Sequence, residues 1–225
     1  MPKSDYIRGI IFLNGDFDEP GEMPFMAKDL IICADGGLGH IRRLGLVPHV
    51  AIGDFDSLND EDIAYLQSHK GGIKVLEFPS EKDYTDGQLA LEYALDAGVK
   101  EVIIYGGFGG RIDHTLANIF MAKLCLDRGA TMRLVSKGQQ LSMLKGPTST
   151  NILGNPGDYI SLIPLSPKVI GITTEGLRYP LHNATMKFGE TLGLSNELTD
   201  TTGEIKIRAG ILLMTIATSE EIAGL

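Results

Sequence analysis

The chain has 225 residues, with 29 Asp and Glu against 20 Lys and Arg, for a formal charge of −9 at pH 7. Hydrophobic residues make up 43% and charged residues 22%, which places the chain among globular proteins and excludes the disordered class. The acidic balance argues against a general nucleic-acid-binding surface, and an anionic substrate would need local help from a metal or from backbone amides.

At about 150 residues per domain, the length corresponds to roughly one and a half domains. No apolar run approaches the roughly 18 residues that a membrane helix needs. The opening Met1-Pro2-Lys3-Ser4-Asp5 carries no signal-peptide core. The expected location is the cytoplasm, with no membrane partner. Cys33 and Cys125 sit in apolar stretches and read as reduced core residues, too few for a disulfide framework or a Cys-rich metal site.

In chain order, apolar runs predict strands over 8–13, 30–34, 50–52, 73–78, 101–105 and 131–135. Helical patterns fall between them, over 38–44, 60–69, 86–97 and 114–128. In the last, Leu116, Ile119, Phe120, Ala122 and Leu124 recur at spacings of three and four, and Gly129 follows as a stop. Continuous apolar strands alternating with helices predict an α/β fold, a mostly parallel sheet with helices on both faces. After Lys137-Gly138 helical periodicity ends. Short strands are predicted over 140–144, 159–164, 169–174, 204–209 and 211–217, with a turn at Asn155-Pro156-Gly157-Asp158 and a hairpin corner at Ala209-Gly210. The expected organisation is an α/β domain over 1–137, Rossmann-like, and a small all-β sandwich over 138–225, whose core is marginal alone.

Four acidic clusters follow predicted strands, where open α/β sheets bind ligands. Ala34-Asp35-Gly36-Gly37 offers glycines for a tight turn and amides for a phosphate, or else a helix cap at Asp35. In Gly53-Asp54-Phe55-Asp56-Ser57, carboxylates two apart on extended chain point the same way, an expensive arrangement unless a cation such as Mg²⁺ neutralises them. In Lys82-Asp83-Tyr84-Thr85-Asp86-Gly87-Gln88, Thr85 and Gln88 match a capping box, and Asp86 falls in the first helical turn. Lys82 reads either as a phosphate contact or as a solvated lysine. In Gly106-Gly107-Phe108-Gly109-Gly110-Arg111-Ile112-Asp113-His114, Arg111 supplies a fork suited to phosphate and Asp113 is a candidate N-cap. No P-loop, dinucleotide fingerprint, zinc spacing or Ser-His-Asp arrangement is present. Many carboxylates with one well-placed arginine point to metal-assisted phosphoryl or pyrophosphoryl transfer.

The set CADGG at 33–37, GDFDS at 53–57, DYTD at 83–86 and GGFGGRIDH at 106–114 resembles the thiamine pyrophosphokinase family, in that family's order and spacing. GLRYPL at 176–181 and LSNE at 194–197 extend the resemblance into the second half. It implies an α/β nucleotide-binding domain and a β-sandwich, paired in homodimers whose sites lie between one subunit's first domain and the other's sandwich. It implies transfer of the pyrophosphoryl group of ATP to the hydroxyl of thiamine, giving thiamine diphosphate and AMP. Position by position, Asp54, Asp56 and Asp86 correspond to the Mg²⁺ and triphosphate site and, with Arg111, to the catalytic set. Asp35, Gly36, Gly37, Asp83, Thr85, Gly107, Arg111 and Asp113 correspond to ATP-binding positions, and Ser195 and Asn196 to a thiamine-contacting segment. Leu38-Gly39 replaces the Ala-Asn that often follows CADGG, and the chain has no Trp to stack on thiamine. Tyr84, Phe108 and Tyr179 are the candidate substitutes. Two other readings are a pyrophosphokinase for another hydroxymethyl heterocycle, such as a pterin, and a nucleotide-binding regulatory module without turnover.

Overall fold

The computed structural model describes residues 5–17 and 25–222. The chain divides into two compact units, Met1–Ser136 and Lys137–Leu225. The first runs β1 (Arg8–Phe12), β2 (Asp29–Ala34), α1 (Gly37–Arg43), β3 (Val50–Gly53), α2 (Asp60–Ser68), β4 (Lys74–Glu77), α3 (Asp86–Asp96), β5 (Glu101–Tyr105), α4 (Ile112–Phe120), α5 (Ala122–Asp127) and β6 (Thr131–Ser136). Its strands lie in the order β6-β5-β1-β2-β3-β4, and every pairing is parallel.

β1, β2 and β3 are buried at every position, as strands covered on both faces must be. Ile10 and Phe12 share a core with Leu38 and Ile41 of α1. Gly9 points the opposite way, and a Cβ there would lie 3.2 Å from Ala94 of α3. The two helices therefore cover opposite faces. At the amino end of the sheet, Arg8 is the register partner of Asp29. Its guanidinium donates twice to that carboxylate, at 2.9 and 2.6 Å, with both side chains buried. Cys33 and Cys125 are free and buried, and burial pushes both thiols up to about 12. Among the described residues, no helix is long and apolar enough to cross a membrane.

Two helix expectations change. The segment expected as one helix over 114–128 breaks at Met121, which ends α4 and starts α5. The first part of the apolar stripe also does not bury: no residue of α4 is buried, and Ile112, Leu116 and Phe120 are exposed. The core on this side is supplied by Met121, Ala122 and Cys125.

The second unit is all antiparallel. It contains β7 (Gln139–Lys145), β8 (Thr148–Leu153), β9 (Tyr159–Pro164), β10 (Lys168–Glu175), β11 (Ala184–Lys187), β12 (Gly193–Glu197), β13 (Thr202–Ile207) and β14 (Ile211–Ala217). The orders are β12-β9-β14-β7 and β11-β10-β13-β8. β9 alternates buried and half-buried residues, and Ile160 and Leu162 share one core with Val169, Ile172 and Ile205 of the other sheet. The sequence pattern missed β8, β11 and β12. All three lie at sheet edges, where pairing is one-sided and the polar runs TSTN and LSN carry little alternation. Ala209-Gly210 is not a hairpin corner, because β13 and β14 belong to different sheets.

Two histidines brace the first unit in the neutral form. Ile31 N–H donates to His49 Nδ1 at 3.0 Å, and burial holds that imidazole below its ordinary pKa. His40 accepts from Arg43 on Nδ1 at 2.5 Å, so its Nε2–H donates to the Gly15 carbonyl at 3.1 Å. Burial, then Arg43, lowers its pKa. Below about pH 6.5 the unfolded chain binds more protons at these sites than the native one, so stability falls with acidification. The melting temperature should drop between pH 7.5 and 5.5. His49→Asn, which keeps an acceptor but does not titrate, should show a smaller drop in the same thermal scan.

Candidate active site

The connection after β1 leads to β2 on one side, whereas the connection after β5 leads to β6 on the other. β1 and β5 are neighbours, so their carboxyl ends mark the point where the winding direction reverses. Leu13 N–H donates to the Tyr105 carbonyl, Gly15 N–H to Gly106 and Asp16 N–H to Phe108, which zips the two loops together. A cleft of about 550 Å³ opens there and reaches Asp35, Asp54 and the segment 82–87.

Asp35 follows β2 with φ +48°, an uncommon backbone for a non-glycine residue. Its Oδ2 accepts the Ser57 hydroxyl at 2.6 Å, while its Oδ1 is buried without a hydrogen-bond partner. Gly36 and Gly37 do not line the cleft. They are packing positions: a Cβ on Gly36 would lie 2.2 Å from Asn14 Oδ1, and one on Gly37 2.1 Å from the Phe12 carbonyl.

Phe55, at φ +60°, turns the chain sharply between Asp54 and Asp56. Asp56 N–H donates to Asp54 Oδ1 at 3.3 Å. The Ser80 hydroxyl, then this N–H, hold the Asp54 carboxyl below the usual range. The charge on Asp54 chiefly pushes Asp56 above it. Asp35, Asp54 and Asp56 each offer one carboxylate oxygen within 4.8 Å of the others. Of the expected set Asp54, Asp56 and Asp86, the last stands beside a lysine: Lys82 Nζ lies 3.0 Å from Asp86 and 3.6 Å from Asp54.

Thr85 caps α3, accepting Gln88 N–H at 3.2 Å. The reciprocal half of the capping box is not made; the Gln88 side-chain NH2 donates to Glu92 at 2.9 Å. Asp83 and Thr85 are exposed at the cleft. Gly107 lines it, and Asn118 of α4 donates to the Gly107 carbonyl at 2.9 Å. Arg111 is the N-cap of α4, so Asp113 is not the cap but a first-turn residue. Asp113 instead accepts two bonds from Arg111, at 3.1 and 2.6 Å, with both side chains largely in solvent.

In the second unit, Ser195 is exposed with φ +54° at a bulge in β12. Asn196 is buried. Its amide accepts Tyr179 N–H and donates to the Tyr179 carbonyl, at 3.0 and 2.7 Å. It clamps the 176–181 segment and leaves the Tyr179 ring exposed.

The sequence reading passed over Asn14, Asp16, Ser80 and Asn118, which also line the cleft. The first two immediately follow β1, so the strand-end rule that marked the other clusters applies to Asn14-Gly15-Asp16 as well. Ser80 and Asn118 carry no comparable signal.

Residues 25–135 match the family model for the thiamin pyrophosphokinase catalytic domain, and residues 149–212 that for its vitamin B1 binding domain. The chain belongs to the thiamin pyrophosphokinase family. Among its relatives in that family, the Bacillus subtilis (strain 168) thiamine pyrophosphokinase is 34% identical over 186 residues, covering 82% of this chain and 86% of that protein. Thiamin pyrophosphokinase 1 of Caenorhabditis elegans is 27% identical over 206 residues, covering 84% and 81%. The crystal structure of the Bacillus subtilis enzyme matches with a TM-score of 0.83 at 31% identity, covering 94% of this chain and 99% of that one. A Geobacillus thermodenitrificans thiamin pyrophosphokinase structure gives 0.82 at 29%, covering 95% and 98%.

Gly37→Ala should destabilise the chain by about 3 kcal/mol, the upper end for overpacking, because the clash is with backbone. Gly110→Ala has open space around its Cβ but a φ of +62°, and should cost about 1 kcal/mol. Urea unfolding of the two variants measures both.

Proposed function

We propose that this chain transfers the pyrophosphoryl group of ATP to the hydroxyl of thiamine, giving thiamine diphosphate and AMP. The observation that carries the reading is the convergence of Asp35, Asp54 and Asp56 within 4.8 Å beside a cleft at the switch point, in a chain of this family. Match to a vitamin B1 binding domain favours thiamine over a pterin alcohol as acceptor, and intact carboxylates favour turnover over a purely regulatory role.

The donor set suits Mg²⁺: hard carboxylate oxygens, close together, one of them buried with no hydrogen bond. Asp54 and Asp56 would hold the ion, with Asp35 beside them and Asp86 across Lys82. The chemistry a bound Mg²⁺ supplies is neutralisation of the triphosphate and of charge developing during transfer. The Thr85 hydroxyl, whose oxygen already accepts Gln88 N–H, keeps its proton for a phosphate oxygen. Arg111 stands in solvent and exchanges Asp113 for phosphate. Asp83 and Gly107 shape the ATP end. Asp56 or Asp86 orients the thiamine hydroxyl and takes its proton. Ser195, exposed on its bulge, contacts thiamine, and Asn196 positions Tyr179 to supply the aromatic surface. These second-unit residues reach the site from a partner copy in a homodimer. On this reading the first unit is a Rossmann-like ATP domain, the second a thiamine-binding β-sandwich, and the enzyme is cytoplasmic.

Incubation with ATP, Mg²⁺ and thiamine should yield AMP and thiamine diphosphate in equal amounts. ADP as the nucleotide product would sink the reading. Asp54→Asn should lower turnover about a hundredfold or more, the scale for losing a group that stabilises transition-state charge.

A further inference from the structure

We propose that Lys82 is a positioning residue, a built-in cation that holds Asp54 and Asp86 together in the metal-free chain and competes with a divalent ion for Asp54. The inference rests on the reading above and concerns a residue to which that reading gives no task. Lys82 Nζ lies 3.0 Å from Asp86 Oδ1 and 3.6 Å from Asp54 Oδ2, and the three side chains are only 14%, 20% and 16% exposed. Lysine is rarely so covered unless paired. Lys123 and Asp127, on the surface of α5, have the same i,i+4 spacing but are 44% and 48% exposed.

The geometry differs from a helix-surface pair in a second way. Lys82 precedes α3, and Asp86 is the first residue of that helix. Asp54 directly follows β3. One ammonium thus ties together two loops that follow different strands, β3 and β4. Burial works against its charge, but Asp86 and Asp54 outweigh burial and keep it protonated. Without it, two half-buried carboxylates would face each other with no cation between them.

An ammonium in this place has two opposite effects on a divalent ion. It keeps the carboxylates assembled, and it also occupies Asp54 and subtracts one negative charge from the site. For the ion alone, the second effect dominates, because Asp54 is already fixed by Ser80 and by Asp56 N–H. Removing the ammonium should therefore strengthen divalent binding, whereas loss of a merely structural lysine would weaken it or leave it unchanged.

The test uses Mn²⁺ alone, with neither ATP nor thiamine, titrated into the full chain and followed by electron paramagnetic resonance. Lys82→Met should bind Mn²⁺ about fivefold more tightly than wild type, the size of one water-screened charge contact near 4 Å. Lys82→Arg, which keeps the charge, should stay near wild type. Lys82→Gln repeats the measurement if circular dichroism shows that Lys82→Met is unfolded. Equal or weaker binding in the neutral variants, or no Mn²⁺ binding by any of the proteins, overturns the proposal. Its failure is separable from failure of the enzymatic reading: wild type that makes AMP and thiamine diphosphate while the Mn²⁺ affinities do not differ loses only the role of Lys82.

Discussion

Mutual repulsion among carboxylates is the constraint around which the first unit is arranged. A parallel sheet delivers the ends of β1, β2, β3 and β4 to one rim, and aspartates follow the first three and precede the helix after the fourth. Water screens such charges less completely in a cleft than on an open surface. Three of them are met by specific partners: Ser57 on Asp35, Ser80 and an N–H on Asp54, Lys82 on Asp86. One Asp35 oxygen is left over. Hydroxyls and one ammonium stabilise the cluster well enough for the chain to fold, yet leave acceptor capacity for a hard cation.

Backbone strain falls partly at the same cluster. Among the described residues, positive φ occurs at four non-glycine positions, and two of them are Asp35 and Phe55. A bulky residue such as Phe55 in that region costs on the order of 1–2 kcal/mol. Its side chain packs against the core that Phe12, Cys33 and Leu38 share, which offsets that cost. The gain is a pair of carboxylates aimed at one point by five consecutive residues.

The parallel half was legible because its central strands are apolar runs, and EVIIY at 101–105 needs no context to read as one. Strand-end chemistry was legible in the clusters around Asp35, Asp54 and Asp86, though Asn14-Gly15-Asp16 after β1 was passed over. It was not legible where the contributing residue has an ordinary job wherever it stands, as with Ser80 in a loop and Asn118 on α4. Nor does spacing reveal whether a good amphipathic pattern finds a core: α4 has the pattern and buries none of it. Asp113 illustrates a related limit. A good N-cap residue at the right place lost that role because Arg111 entered the helix boundary first and took the carboxylate as its own partner. In the second unit, edge strands escaped notice because half of what makes a strand recognisable, a buried neighbour on each side, is absent at an edge.

The buried Arg8–Asp29 pair lies at the end of the sheet remote from the cleft, and its consequence is one of error suppression. Sliding β2 along β1 by one residue would turn every side chain of β2 to the opposite face and displace Asp35, which follows it. It would also strand a buried guanidinium opposite Leu30. A misaligned sheet is thus penalised at its far end, by residues that take no part in the chemistry. The loops at the near end are free to change composition without the alignment of the strands being at stake.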